Sequence, residues 1–142
     1  MTIRKVVEGN PHTVITIGVD ASVADAVALL AEKRIGALPV VEGGAVVGVF
    51  SERDVIYCLA RDGAAALGRS VREAMTAPVI TVDLDHPAIG ALSMMTRRRI
   101  RHLPVIDGGA LVGFVSIGDL VKHRIDRIES EAAAMRDYIQ SA

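Results

Sequence analysis

Seven residues near the C-terminal end, Gly113 to Asp119 (GFVSIGD), repeat a stretch 65 positions earlier, Gly48 to Asp54 (GVFSERD). In each copy a short apolar run ends at a serine, and an aspartate three residues later opens a helical pattern. The likeness continues in the same register without a gap. Val-Ile-Thr recurs at 14–16 and 79–81, Leu-Pro-Val at 38–40 and 103–105, and Gly-Gly-Ala at 43–45 and 108–110. Even Val71 to Met75 echoes Ile3 to Val7. Two copies are too few for an open solenoid, which needs at least about three stacked units. The duplication therefore predicts an α/β (α+β) fold of two β-α-β-β-α units packed face to face with pseudo-two-fold symmetry. Residues 3–60 form the first repeat, 61–70 a connector, 71–125 the second repeat and 126–142 a C-terminal helical tail.

Within one copy the elements follow from pattern. Ile3 to Val7 reads as a lead-in turn of helix, broken by Gly9, Asn10 and Pro11. Val14 to Ile17 is a short β-rich run, and Ser22 with Asp25 has capping-box spacing. Val23, Ala26, Val27 and Leu30 then place one apolar face on a helix that should end near Arg34. Leu38 to Val41 and Ala45 to Phe50 flank Glu42-Gly43-Gly44, a tight-hairpin signal, and Ser51 caps a second helix.

Composition narrows the class. The 142 residues suit one compact domain, and two Phe, two Tyr and no Trp require an aliphatic core. A formal net charge of −1 advertises neither nucleic acid nor an anionic membrane surface. Cys58 is the only cysteine, so no intrachain disulfide can form and a cytoplasmic location is expected. The N-terminal stretch lacks the apolar core of a signal peptide, and no segment approaches the roughly 20 apolar residues of a membrane span. The expectation is a soluble protein.

The tail has no twin. Val121, Ile125, Ile128, Met135 and Ile139 give a broken helical stripe with Arg and Glu between them. On a helix projecting past the repeat the stripe would be exposed in a monomer, so packing against a second chain is expected.

The Ser-x-x-Asp motif supports two readings. A carboxylate can accept two hydrogen bonds, and the 2′- and 3′-hydroxyls of a ribose supply two donors at matching spacing. A serine and free amides at a helix N-terminus favour an anion such as phosphate. Gly48 and Gly113 would let a ligand approach the strand backbone. Equally, Ser51 with Asp54 and Ser116 with Asp119 fit a capping box that needs no ligand, although Asp is short for reaching back.

The doubled pattern of Val-Ile-Thr, helix, Leu-Pro-Val, Gly-Gly and Gly-x-x-Ser-x-x-Asp resembles a pair of cystathionine-β-synthase (CBS) domains over roughly residues 3–125. Such a pair is a Bateman module, usually a sensor of adenosine-containing ligands without chemistry of its own. The resemblance implies an α/β fold with two clefts, and frequent association of two modules into a flat disc. It further implies that each cleft is assembled from both halves. Carried over by position, one cleft has Ser51, Arg53 and Asp54 facing Thr81, Ile100, Arg101 and His102. The other has Phe114, Ser116, Gly118 and Asp119 facing Thr16, Ile35, Gly36 and Ala37. Two arginines and a histidine make the Asp54 cleft the stronger phosphate clamp. The second cleft has no base among these positions.

Other residues have plainer readings. Arg97, Arg98 and Arg99 form a solvated face complementing the helix dipole. His12, His86 and His123 share no ligand spacing with one another or with Cys58, so no metal is expected. Met94 and Met95 fill a helix's core face, and Cys58 is a buried thiol. There is no Walker loop, no GxSxG and no nucleophile–base pair, so no enzymatic activity is expected. The leading reading is a regulatory module for AMP, ADP or ATP, probed by Asp54→Ala as loss of an exposed carboxylate that leaves the fold intact. The alternatives are an NAD(H) or S-adenosylmethionine sensor and a nucleic-acid-binding protein using Arg97 to Arg101. Near-neutral charge and few aromatic platforms argue against the last. Partners would be an adenosine-containing small molecule, a second copy of the chain and a regulated polypeptide that the sequence does not name.

Overall fold

The computed structural model describes residues 1–11 and 13–141. His12, one of the histidines weighed as a metal ligand, lies outside the described residues. The elements run α1 (Ile3–Gly9), β1 (Ile17–Gly18), α2 (Val23–Lys33), β2 (Ala37–Glu42), β3 (Ala45–Ser51) and α3 (Glu52–Asp62). A 3₁₀ turn (Gly63–Gly68) leads to α4 (Val71–Ala74), α5 (Ala88–Arg98), β4 (His102–Asp107), β5 (Ala110–Ser116) and α6 (Ile117–Ser141). Two antiparallel hairpins, β2–β3 and β4–β5, form the scaffold of a mixed α+β fold, and β1 adds a parallel strand beside β2. Among the described residues no helix is long and apolar enough to cross a membrane.

Both hairpins turn on glycine pairs. Gly43 and Gly44 have φ of 58° and 82°, and Gly108 and Gly109 have 57° and 81°. Positive φ at both central residues is the type I′ geometry whose twist matches the flanking strands. Each first helix ends in a left-handed residue that is not glycine, Arg34 at φ 53° and Arg99 at φ 55°. Because the twin positions share this conformation, it belongs to the repeat's way of ending a helix and not to one special site.

The second repeat departs from the expected strand pattern. Val79 to Thr81 forms no strand, and only Val82 bridges to Val105 in parallel. In the first repeat the strand is likewise confined to Ile17–Gly18, later than Val14 to Ile17. What remains paired is the part whose side chain enters a core: Ile17 and Val82 are both buried. The preceding residues leave the sheet and wall the clefts described below.

Residues 3–60 and 71–125 are repeats of sequence, but the packing units exchange their lead-in segments. Ile3 and Val6 of α1 lie in one aliphatic core with Val82, Met95, Leu103 and Val115. Val71 of α4 lies in the other with Ile17, Val23, Leu38 and Phe50. Backbone bonds seal both exchanges. Ile3 N–H donates to His86 O at 2.9 Å, and Val71 N–H donates to Ala21 O at 2.8 Å. Exposed ion pairs repeat the theme, Arg4 with Asp85 and Arg72 with Glu42, each joining a lead-in segment to the opposite repeat. At such exposure they contribute little to stability. The burial carries the weight.

The exchange also explains the glycine of each motif. A Cβ on Gly48 would lie 2.6 Å from Met75 Sδ and 2.9 Å from Thr76 O, and one on Gly113 would lie 3.1 Å from Val7 Cγ2. At Gly48 the expectation that the glycine admits a ligand is thus corrected: the lead-in segment from the other repeat occupies that space. Gly113 lines a cavity of about 270 Å³ together with Val7, Asn10 and Asp119. Gly48→Ala should destabilise the fold by about 1–3 kcal/mol through this overpacking. Gly113→Ala, which meets only a side-chain methyl, should cost less. Urea unfolding of the two variants checks the order.

Candidate functional site

Two clefts form where β3 and β5 approach each other and the helix N-termini of α3 and α6 meet the opposite repeat. The larger has a volume of about 620 Å³. Its floor is the end of β3 with Ser51, its one flank the first turns of α3 with Arg53, Asp54 and Tyr57, and its other flank Arg98 to His102. Thr76 and Pro78 to Ile80 close the remaining side.

Asp54 is the most constrained side chain in this cleft. It is 8% exposed, the only buried charged residue among those described. Its Oδ2 accepts from Ser51 N–H at 2.8 Å and from Ser51 Oγ–H at 3.1 Å, while its own N–H donates to Ser51 Oγ at 3.4 Å. Its Oδ1 accepts from Thr76 Oγ–H at 2.9 Å. The capping box is therefore complete, and aspartate does reach back. Asp119 has the same arrangement: it accepts from Ser116 N–H at 2.8 Å, its N–H donates to Ser116 Oγ at 3.0 Å, and Asn10 Nδ2 donates to it at 3.4 Å. In each case the residue reaching the other carboxylate oxygen, Thr76 or Asn10, follows an exchanged lead-in helix.

Cationic groups gather on one cleft only. Arg53, Arg98, Arg99 and Arg101 all line the Asp54 cleft. Arg53 Nη1 donates to Arg99 O at 3.0 Å, tying the start of α3 to the end of α5 across the opening. Arg98 and Arg99, expected on a solvated helix face, are cleft wall, because α5 ends at its rim. Arg97 is exposed and does not line the cleft.

The smaller cleft, about 290 Å³, is lined by Thr13, Val14, Ile15, Ile35, Gly36, Ala37, His102, Phe114, Ser116 and Asp119. No Lys or Arg lines it. His102 belongs to both clefts. Its ring stacks on Phe114, centroids 5.3 Å apart and planes 19° from parallel. Burial holds the imidazole below its ordinary value of 6.5, Arg101 adds to the depression, and the carboxylates of Asp119 and Glu52 oppose it. Burial thus favours the neutral ring. Gly36 also lines both clefts; a Cβ there would lie 3.0 Å from Oε1 of the Glu52 side chain, which would have to shift slightly.

Most of the expected groupings come together. Ser51, Arg53, Asp54, Ile100, Arg101 and His102 line the larger cleft, and Ile35, Gly36, Ala37, Phe114, Ser116 and Asp119 the smaller. Thr16, Thr81 and Gly118 do not line either one; all three are exposed. The threonines precede the core residues Ile17 and Val82, so in extended backbone their side chains point the opposite way. Gly118, the twin of Arg53, has no side chain to reach inward. The residues that sequence reasoning missed include those one to three positions before the threonines, together with Val49, Glu52, Ile56, Tyr57 and Thr76. Tyr57 lies one turn after Asp54 on α3 and is 62% exposed, a spacing that could have flagged it. Among the described residues no three His, Cys, Asp or Glu side chains group as metal ligands.

The CBS-domain family model matches residues 11–61 and 71–126. This chain belongs to the CBS-domain family. It is 35% identical over 126 residues to the mitochondrial CBS domain-containing protein CBSX3 of Arabidopsis thaliana, covering 85% of this chain and 61% of that protein. CBS domain-containing protein YhcV of Bacillus subtilis is 30% identical over 125 residues, 86% of each chain. Inosine-5′-monophosphate dehydrogenase of Mycobacterium tuberculosis is 38% identical over 111 residues, but the chain spans only 20% of that enzyme. Among solved structures, the CBS-domain containing protein ATU1752 of Agrobacterium tumefaciens superposes with a TM-score of 0.83 at 37% identity, over 87% of this chain and 99% of that one. The CBS domain pair of MJ0100, in complex with 5-methylthioadenosine and S-adenosyl-L-methionine, gives 0.78 at 25% identity, over 89% and 98%. CBSX2 in complex with AMP gives 0.73 at 26%, over 88% and 96%.

The hydrogen bonds of Asp54 overturn the expectation that Asp54→Ala merely removes an exposed carboxylate. That change deletes a helix cap and strands Thr76, and should cost about 1–3 kcal/mol. Asp54→Asn keeps an acceptor for Ser51 and should retain more of the stability; urea midpoints of the two variants separate the effects. The depressed pKa of His102 makes a second prediction. The unfolded chain binds this proton first, so the His102 contribution makes stability fall as pH drops below about 6.5, until the folded value is passed. His102→Phe should show a shallower loss of stability than the parent between neutral and mildly acidic pH.

Proposed function

We propose that the CBS pair is a regulatory sensor of adenine nucleotides (AMP, ADP or ATP) in which the Asp54 cleft takes the phosphates. The observation that carries this reading is the one-sided placement of Arg53, Arg98, Arg99 and Arg101 around a cleft of about 620 Å³. Guanidinium groups bind phosphate oxygens in pairs and stay charged at any physiological pH. Four of them at one opening suit a polyphosphate better than a neutral ligand. Asp54 Oδ1 and Oδ2 retain lone-pair capacity beyond their three internal donors, which a ribose hydroxyl can use. The AMP complex of CBSX2 supports an adenosine ligand in this family. In this reading the chain acts by binding. Its output would reach another polypeptide, with a second copy of the chain as part of the assembly.

A second reading is favoured for the smaller cleft. Its lining carries no Lys or Arg, and it offers Asp119 with apolar walls. That suits an adenosine ligand without phosphate, of the kind seen with MJ0100. An NAD(H) ligand would instead need room for its nicotinamide in the neighbouring cleft.

Thermal unfolding against AMP, ADP, ATP, NAD(H) and S-adenosylmethionine tests the proposal. A ligand at 100 times its dissociation constant should stabilise the fold by about 2.7 kcal/mol. Arg101→Ala should reduce the shift with ATP, because it removes one of four wall cations, and should leave any shift with S-adenosylmethionine unchanged. No shift with any adenine nucleotide would defeat the proposal, and a shift with NAD(H) alone would replace it.

A further inference from the structure

Helix α6 leaves an apolar seam without cover. Val121, Ile125, Ile128, Met135 and Ile139 are 41%, 49%, 49%, 60% and 66% exposed, and Ala132 between them is exposed too. With Ala132 included, the seam advances by 4, 3, 4, 3 and 4 residues. That alternation has a mean period of about 3.5, the spacing at which two helices keep one face together along their length. The helix itself is already ordered, since Leu120 is buried in the second core and the Ser116–Asp119 box caps its start. Pairing would therefore not have to supply the cost of helix nucleation.

Charge selects the occupant and its direction. Arg124 and Glu131 precede the Ile125 and Ala132 layers, and Glu129 and Arg136 follow the Ile128 and Met135 layers. In a parallel, in-register pair each such flank faces the residue five positions later on the other helix. Arg124 then faces Glu129 of the second copy, and Glu131 faces Arg136 of the second copy. Both are opposite charges. An antiparallel pair that matches all six layers places Glu129 against Glu129, Glu131 against Glu131 and Lys122 against Arg136, all repulsive. Sliding by one heptad relieves the repulsion but leaves two of the six layers uncovered. Glu131 already pairs with Arg127 of its own helix at 3.0 Å, yet its side chain is 64% exposed and keeps an oxygen free to bridge.

We infer that α6 pairs in parallel with α6 of a second copy of this chain, through the seam from Val121 to Ile139, over about 28 Å. This goes beyond the nucleotide reading and does not depend on it, because its readout is assembly and not ligand.

Analytical ultracentrifugation of the full chain tests it. The parent should be a dimer, and Ile128→Glu, which puts a charge into the middle of the seam, should raise the dimer dissociation constant by on the order of a hundredfold. Arg124→Glu and Glu129→Arg should each weaken the dimer, and the double exchange should restore it. That rescue is particular to the parallel pair: in the slid antiparallel pair the double variant is weaker than either single one. In a Cys58→Ser background, Met135→Cys should oxidise to a cross-linked dimer, as equal positions face each other. A monomeric parent, a dimer indifferent to Ile128→Glu, or a double exchange that fails to rescue would each overturn the inference. Ile128 is on the surface, and circular dichroism confirms that each variant is folded before its assembly is judged.

Discussion

The carboxylate of Asp54 holds three pieces of chain together at one point. It closes the N-terminus of α3, fixes the end of β3 through Ser51, and receives Thr76 from the segment that the second repeat lends to the first. Asp119 does the same for α6, β5 and Asn10. A buried carboxylate without donors would be costly; Ser51 or Ser116 pairs one oxygen locally, and the lead-in segment of the other repeat supplies the donor for the second. The two halves therefore do not merely touch. Each completes the polar network of the other, as each completes the other's aliphatic core through Ile3, Val6 and Val71. Clefts between the halves are a consequence: the lead-in segment covers Gly48, and space remains beside the helix N-termini.

From a symmetric frame the sequence makes asymmetric clefts with few changes. Arg53 stands where Gly118 is its twin, and Arg101 and His102 stand where Gly36 and Ala37 are theirs. The backbone contacts are preserved through these exchanges: Glu52 N–H donates to Gly36 O at 3.0 Å, and Ile117 N–H to Arg101 O at 2.8 Å. Only the side chains differ. Their result is a wall of arginines on one side and a small hollow without a cation on the other, with His102 and Gly36 facing both.

Much of this was legible in the residues. The repeat gave the two hairpins, since paired glycines admit a turn with positive φ at both positions. It also gave the capped helices and the split of cationic groups between clefts. What was not legible followed from contacts between distant parts. No periodicity within Ile3 to Val7 says which repeat it will cover. Gly48 reads equally as a place for a ligand or for Met75, and only the packing decides. Thr16 and Thr81 match each other so well that the repeat draws attention to them, yet extended backbone turns them outward because their successors are needed in the cores. Arg98 and Arg99 look like an ordinary helix end until the helix is seen to stop at a cleft rim.

The double duty of Asp54 bears on how a bound ligand could be felt elsewhere. A ligand shifts a conformational equilibrium only by its difference in affinity for the two states. A hydroxyl donating to Asp54 adds to a carboxylate whose existing donors come from α3's cap and from Thr76, so strengthening or loosening any one of them alters the others' share of the same two oxygens. Arg53 adds a second link, because the group that can turn toward a phosphate is also the one that holds Arg99 O at the end of α5. A phosphate competing for Arg53 would release that carbonyl, and α5 packs directly on α6. The path from the cleft to the exposed seam is thus short. Under the proposed reading it would run through α5, whose C-terminal carbonyl is held by the side chain that a phosphate would engage.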